Sequence, residues 1–192
     1  MTVGPTQPPR FPNELIKPME AAAAASALFS LLLLTWHGFG RAGDPRQLAL
    51  VYGFYAAALF AVAWVRDWFL ASWIGLVLAL LSVVQTFVYK FGYTFAPHHP
   101  TRLALLVYAT LATVAAVALR NSGGKTRRIF SWPLTAAALI TSVAVAPLLL
   151  FGGWMTVGQL AARMFWLAAI WLALSVAKRL AILFTAFQAA LT

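Results

Sequence analysis

The strongest constraint on this chain is where its few charges lie. Its 14 Lys and Arg and its 4 Asp and Glu fall almost entirely between long apolar runs, as in a polytopic membrane protein. The runs at 48–65, 68–89, 102–119 and 132–151 each reach the roughly 17–25 residues that an α-helix needs to cross about 30 Å of hydrocarbon. With 192 residues, 62% of them apolar, the chain has room for five or six spans and for no separate soluble domain. The expected fold is an all-α integral membrane protein with about six transmembrane helices.

Residues 1–17 carry Pro5, Pro8, Pro9 and Pro12. They have neither the basic-then-apolar order of a signal peptide nor the Arg- and Ser-rich pattern of a transit peptide, and read as an extended tail. Pro18, a residue that favours the first position of a helix, opens the membrane domain, 18–179. Glu20 follows in the first turn, and Gly38 and Gly40 end the first span. Arg66 and Asp67 alone separate the second span from the third, 68–93. Arg66 suits a helix C-terminus and Asp67 a helix N-terminus, so the two spans form a tight hairpin. A polar turn over 121–128 precedes the fifth span, where Ser131 is placed to cap and Pro133 lies in the first turn. Pro147 should loosen that helix near its end. The sixth helix begins near Val157.

Six spans place Arg10, Lys17, Arg66, Arg120, Lys125, Arg127, Arg128, Lys178 and Arg179 on one side, and Arg41, Arg46, Lys90, Arg102 and Arg163 on the other. This asymmetry puts both termini on the cytoplasmic or matrix side of an energy-converting membrane, such as a bacterial or mitochondrial inner membrane. Residues 180–192 would extend only about 20 Å as a helix, too short to span again. Leu180, Leu183, Phe184, Phe187 and Leu191 nevertheless share one helical face, which predicts an amphipathic extension lying at the interface or docked on a partner. No repeat relates the two halves, which argues against a carrier built from inverted repeats.

The absence of cysteine removes disulfides, thiolate metal sites and iron–sulfur ligation. Haem ligation between helices requires imidazoles projecting from the spans. His37 instead stands at a span end, and His98 and His99 lie in a loop bracketed by Pro97 and Pro100. All four carboxylates, Glu14, Glu20, Asp44 and Asp67, lie outside span interiors, which disfavours ion-driven carriers, di-iron oxidases and intramembrane hydrolases. Ser82, Ser142 and Ser175 have no histidine at their depth and read as helix-packing residues. The chain therefore reads as no enzyme, with no cofactor and no metal.

The most polar stretch of any span is the end of the third, where Gln85 and Tyr89, and Thr86 and Lys90, are four apart. Gln85, Tyr89 and Lys90, with Arg163 on the last helix, are the candidate lipid or ligand contacts. Lys90 beside Tyr89 and Tyr93 also reads as an interfacial anchor. Small residues recur every fourth position in two spans, Gly53, Ala57 and Ala61 and then Ala71, Gly75 and Ala79, which allows close helix approach. Trp36, Trp64, Trp68, Trp132 and Trp154 cluster near span ends as interfacial anchors. The net charge of +10 is scattered over loops, so anionic lipids and other membrane subunits are the expected partners, and nucleic acid is not. The expected function is a non-catalytic accessory subunit of a multisubunit membrane complex, respiratory or otherwise energy-converting. The alternative is a small transporter or substrate-binding membrane component. The partner contacts expected in the subunit reading are Leu180, Leu183, Phe184, Phe187 and Leu191.

Overall fold

A computed structural model describes residues 13–38, 44–91, 100–150 and 156–178. Their regular secondary structure is all helical: α1 (Asn13–Gly38), α2 (Pro45–Arg66), α3 (Phe69–Phe91), α4 (Pro100–Ala118), a single turn α5 (Gly124–Thr126), α6 (Trp132–Leu150) and α7 (Val157–Lys178). A 3-10 turn (Leu119–Asn121) comes after α4, and a π-helical segment (Arg127–Ser131) joins α5 to α6. The extended tail at 1–12, His98 and His99, Trp154, and the amphipathic extension at 180–192 lie outside the described residues. The chain divides into two compact units, Met1–Gly43 and Asp44–Thr192.

The first unit contains α1. This helix starts at Asn13, and Pro18 lies within it, so residues 13–17, expected in the tail, are helical. Proline φ is already helical, and the ring removes only the bond from position 18 to the carbonyl of Glu14, so a turn can precede it. Farther along, Thr35 Oγ1 donates to the Leu31 carbonyl at 2.7 Å.

In the second unit five helical stretches are long and apolar enough to cross a bilayer: Pro45–Arg66, Phe69–Phe91, Thr101–Asn121, Gly124–Leu150 and Val157–Lys178. The protein is an all-α integral membrane protein. The hairpin between α2 and α3 is as tight as the sequence implies. Asp67 closes α2 in the left-handed conformation (φ 55°), and its N–H returns to the Ala63 carbonyl. Asp44 caps the other end of α2, where its Oδ1 accepts from the Arg46 N–H at 2.9 Å.

The core centres on α4, which packs against α3, α6 and α7. Leu106, Ala109, Ala112 and Ala116 of α4 meet Leu76 of α3, Ala138 and Val145 of α6, and Leu167 and Leu174 of α7. The alanines keep the backbones close, which matters because lipid gives helices no hydrophobic reason to associate. The small-residue stripes are used selectively. Gly53 lies against Ser82, and Gly75 against the Phe60 ring, but Ala57 and Ala61 face outward. The contact face of α2 instead carries Leu48, Tyr52, Ala56 and Ala63.

Ser131 does not cap α6, because helical structure runs without a break from Gly124. The interruption is internal. Pro133 has no N–H to offer the carbonyl of Ile129, four residues back, and the chain passes this point in π geometry. The expected polar turn at 121–128 shortens accordingly.

A Cβ on Gly75 would stand 2.7 Å from Phe60 Cε1, closer than side-chain atoms tolerate. Gly75→Ala should therefore destabilise the protein by about 1–3 kcal/mol, as overpacking does. Adding Phe60→Leu should recover most of that loss. Thermal unfolding in detergent measures both, and an unchanged midpoint in Gly75→Ala would show that the hairpin is packed less tightly than described.

Candidate functional site

The residues that build the site come from the stretch between α4 and α6, which is docked onto the α2–α3 hairpin. Ile129 is fully buried beside Ala63 and Ala71, where larger side chains would leave it no seat. Its carbonyl, deprived of a helical partner by Pro133, lies 3.0 Å from Ser72 Oγ, whose one proton is shared with the Phe69 carbonyl at 2.7 Å. Phe130 packs edge-to-face on Phe60 and stacks on Trp64, with ring centroids 6.0 and 6.4 Å apart. On the other side of the hairpin Trp132 meets Trp73 and Phe69, with centroids 5.4 and 6.1 Å apart. Arg128 forms an ion pair with Asp67 in the hairpin turn.

This docking fixes a cluster of cations. Lys178, at the end of α7, donates from Nζ to Ser131 Oγ at 2.6 Å, and lies within electrostatic range of Arg127 and Arg120. Lys125 stands 5.8 Å above the Trp64 ring, a cation–π distance. Between the π-helical segment, α6 and α7 is a cavity of about 680 Å³. Its charged wall is formed by Arg127, Arg128 and Lys178, and its deeper wall by Thr135, Ala136 and Leu139. Trp64, Trp68 and Trp132 are exposed around this end of the protein, the depth at which tryptophan marks a membrane–water interface.

The cavity is lined by cations, hydroxyls and apolar side chains. Among the described residues, no histidine, cysteine or carboxylate lines it. Thr135 Oγ1 donates to the Ser131 carbonyl at 2.6 Å, so that hydroxyl proton is engaged. Ser131 and Lys178 have the atoms of a serine–lysine pair, yet they lie within helices whose backbone N–H groups are used internally. Arg127, by contrast, makes no ion pair among the described residues, and three positive side chains converge with only Asp67 to balance them.

The residues drawn from the sequence lie at the opposite end of the same unit. Gln85 is 5% exposed, whereas Tyr89, one turn on, is 53% exposed, so the pair does not form one surface. Lys90 points outward beside Tyr89. Arg163 is half-buried on α7 and within electrostatic range of Arg102, a residue in the first turn of α4 that is only 3% exposed. The Gln85 Oε1 atom is buried and accepts no hydrogen bond among the described residues. Among those residues no three His, Cys, Asp or Glu side chains come together. Leu180, Leu183, Phe184, Phe187 and Leu191 lie outside the described residues.

No family model matches this chain, and no curated protein or solved structure was found to be similar to it.

Magnitudes separate the contributions of the two contacts that dock the connector. The Arg128–Asp67 pair is open to solvent, with side chains 73% and 37% exposed, and such pairs contribute about 0–1 kcal/mol. The Ser72 bond is buried, and losing it strands a carbonyl at a cost of about 1–3 kcal/mol. Ser72→Ala should lower the unfolding midpoint more than Asp67→Asn, a substitution that keeps a residue tolerant of the left-handed backbone. The reverse order in a thermal scan would assign the docking to the ion pair.

Proposed function

We propose that the chain is a non-catalytic helical subunit of a larger membrane assembly. The observation that carries this reading is how the polar side chains of the spans are used. Tyr108 donates to the Leu76 carbonyl at 2.8 Å, Ser82 to Ala49 at 2.7 Å, Trp166 to Thr110 at 2.9 Å and Trp171 to Ser142 at 3.0 Å. Each of these bonds crosses from one helix to another. Thr110, Thr113 and Thr141 donate to carbonyls four residues back on their own helices, and Ser175 to one three residues back. Polar groups engaged in this way hold helices together and leave no set poised to act on a substrate. An energy-converting complex is the setting we favour, with the basic end on the cytoplasmic or matrix side.

Purification from native membranes in mild detergent tests the reading. Stoichiometric partner subunits are expected to co-purify, and truncation before Leu180 should reduce their recovery while leaving membrane insertion intact. A protein that purifies alone, with or without residues 180–192, would overturn the proposal.

The second reading, a small transporter or substrate-binding component, has one observation in its favour. A buried amide oxygen without a partner needs a reason, and a bound substrate offering a donor to Gln85 would provide one. Gln85→Leu discriminates between the two. If Gln85 only fills space, the substitution should leave assembly unchanged and stability equal or higher. Loss of solute uptake in reconstituted vesicles, with the fold retained, would favour the transporter.

A further inference from the structure

We propose that the basic cavity between the π-helical segment, α6 and α7 holds the phosphate of an anionic phospholipid, with an acyl chain lying along the deeper wall. The inference does not depend on whether the chain belongs to an assembly.

The charged wall supplies the recognition. Arg127, Arg128 and Lys178 line one cavity. Arg128 also engages Asp67, and Lys178 is oriented by its bond to Ser131. Like charges lining one cavity repel one another, and an anion among them converts that repulsion into attraction. Guanidinium groups suit the oxygens of a phosphate, and an ammonium adds a point charge. Arg127 and Arg128 are adjacent on the docked connector, and the fold brings Lys178 to them from the end of α7, about 50 residues further along the chain.

The deeper wall selects the source of the phosphate. Leu139 lies eight residues beyond Ser131 on α6, so the lining descends about 12 Å along the helix axis and passes from Ser131 and Thr135 to Ala136 and Leu139. A free phosphate would fill only the charged mouth. The sugar and base of a nucleotide would bring polar groups against Ala136 and Leu139 at an unfavourable desolvation cost. A phospholipid matches both parts, with its phosphate among the cations at tryptophan depth and its chain against the apolar floor.

The test uses the full chain in neutral detergent, offered equimolar phosphatidylglycerol and phosphatidylcholine of identical acyl chains, with bound lipid counted by native mass spectrometry. Phosphatidylglycerol should be retained preferentially. Arg127→Gln and Lys178→Gln should each reduce that retention about five- to tenfold, the effect of losing one charge-assisted contact, and Ala136→Leu should reduce it by filling the floor. Arg46→Gln, which removes one charge from the opposite end, should leave it unchanged. Unfolding midpoints serve to show that each variant is folded. Equal retention of the two lipids, or an equal loss in Arg46→Gln, would overturn the proposal. Binding of inorganic phosphate that survives Ala136→Leu, without phosphatidylglycerol preference, would also overturn it by assigning the cavity to a free anion.

Discussion

Within a bilayer, apolar side chains are as well solvated by lipid tails as by each other, so the hydrophobic effect does not draw one span to the next. Close packing and hydrogen bonds must do so, and this unit places such a bond at most of its seams. Ser82 joins α3 to α2, Tyr108 joins α4 to α3, and Trp166 and Trp171 join α7 to α4 and α6. Each contributes only about 0.6 kcal/mol on average in membrane proteins, so no single bond sets the fold. Their role is to fix rotation. A helix whose one hydroxyl must find one carbonyl cannot turn about its axis, and the alanines of α4 then allow its neighbours to approach.

The same economy explains the basic end. Pro133 removes a helical donor near the start of α6, and Ser72 on α3 supplies a partial replacement, its proton shared with the Phe69 carbonyl. A defect in one helix thereby becomes an attachment to another. The attachment seats Ile129 between Ala63 and Ala71, and the residues before it, Arg127 and Arg128, are carried to the mouth of the cavity. A fully α-helical 127–131 would present those side chains differently, because a π turn takes up about one more residue than an α turn and so rotates the residues on its N-terminal side relative to the body of α6.

That geometry also marks how far the sequence is readable. Long apolar runs and the Arg66–Asp67 break were sufficient to place the second-unit helices and the hairpin, since span length and helix-end charge are local properties. Contact faces are not local. Ala57 and Ala61 share the four-residue spacing of Gly53 yet face outward, because α2 turns Ala56 and Ala63 to its neighbours instead. Ser131 has the chemistry of a cap, but a helix running through from Gly124 gave it a different task, accepting from Lys178 across 47 residues of sequence. The cavity was therefore illegible as a site. Its cations were visible as topological markers on one side of the membrane, and nothing in their spacing says that α7 ends beside the start of α6. Gln85 and Tyr89 failed as a pair for a related reason: four residues apart is neighbouring on a helix surface, but a packed neighbour can cover one and leave the other bare.

Charge balance makes a further demand on the basic end. From Asp44 onward the sequence contains two carboxylates, Asp44 and Asp67. Asp44 is at the far end, capping α2. The near end thus sets Asp67 against Arg66, Arg120, Lys125, Arg127, Arg128 and Lys178, and the excess cannot be neutralised by other side chains of this unit. Next to an anionic membrane surface, exposed members of the cluster would be attracted by about 1 kcal/mol each, and salt would screen that attraction within about 10 Å. Lys178 differs, because it is partly enclosed and tied to Ser131. An anion in the cavity, as proposed above, would supply a counter-charge for it there.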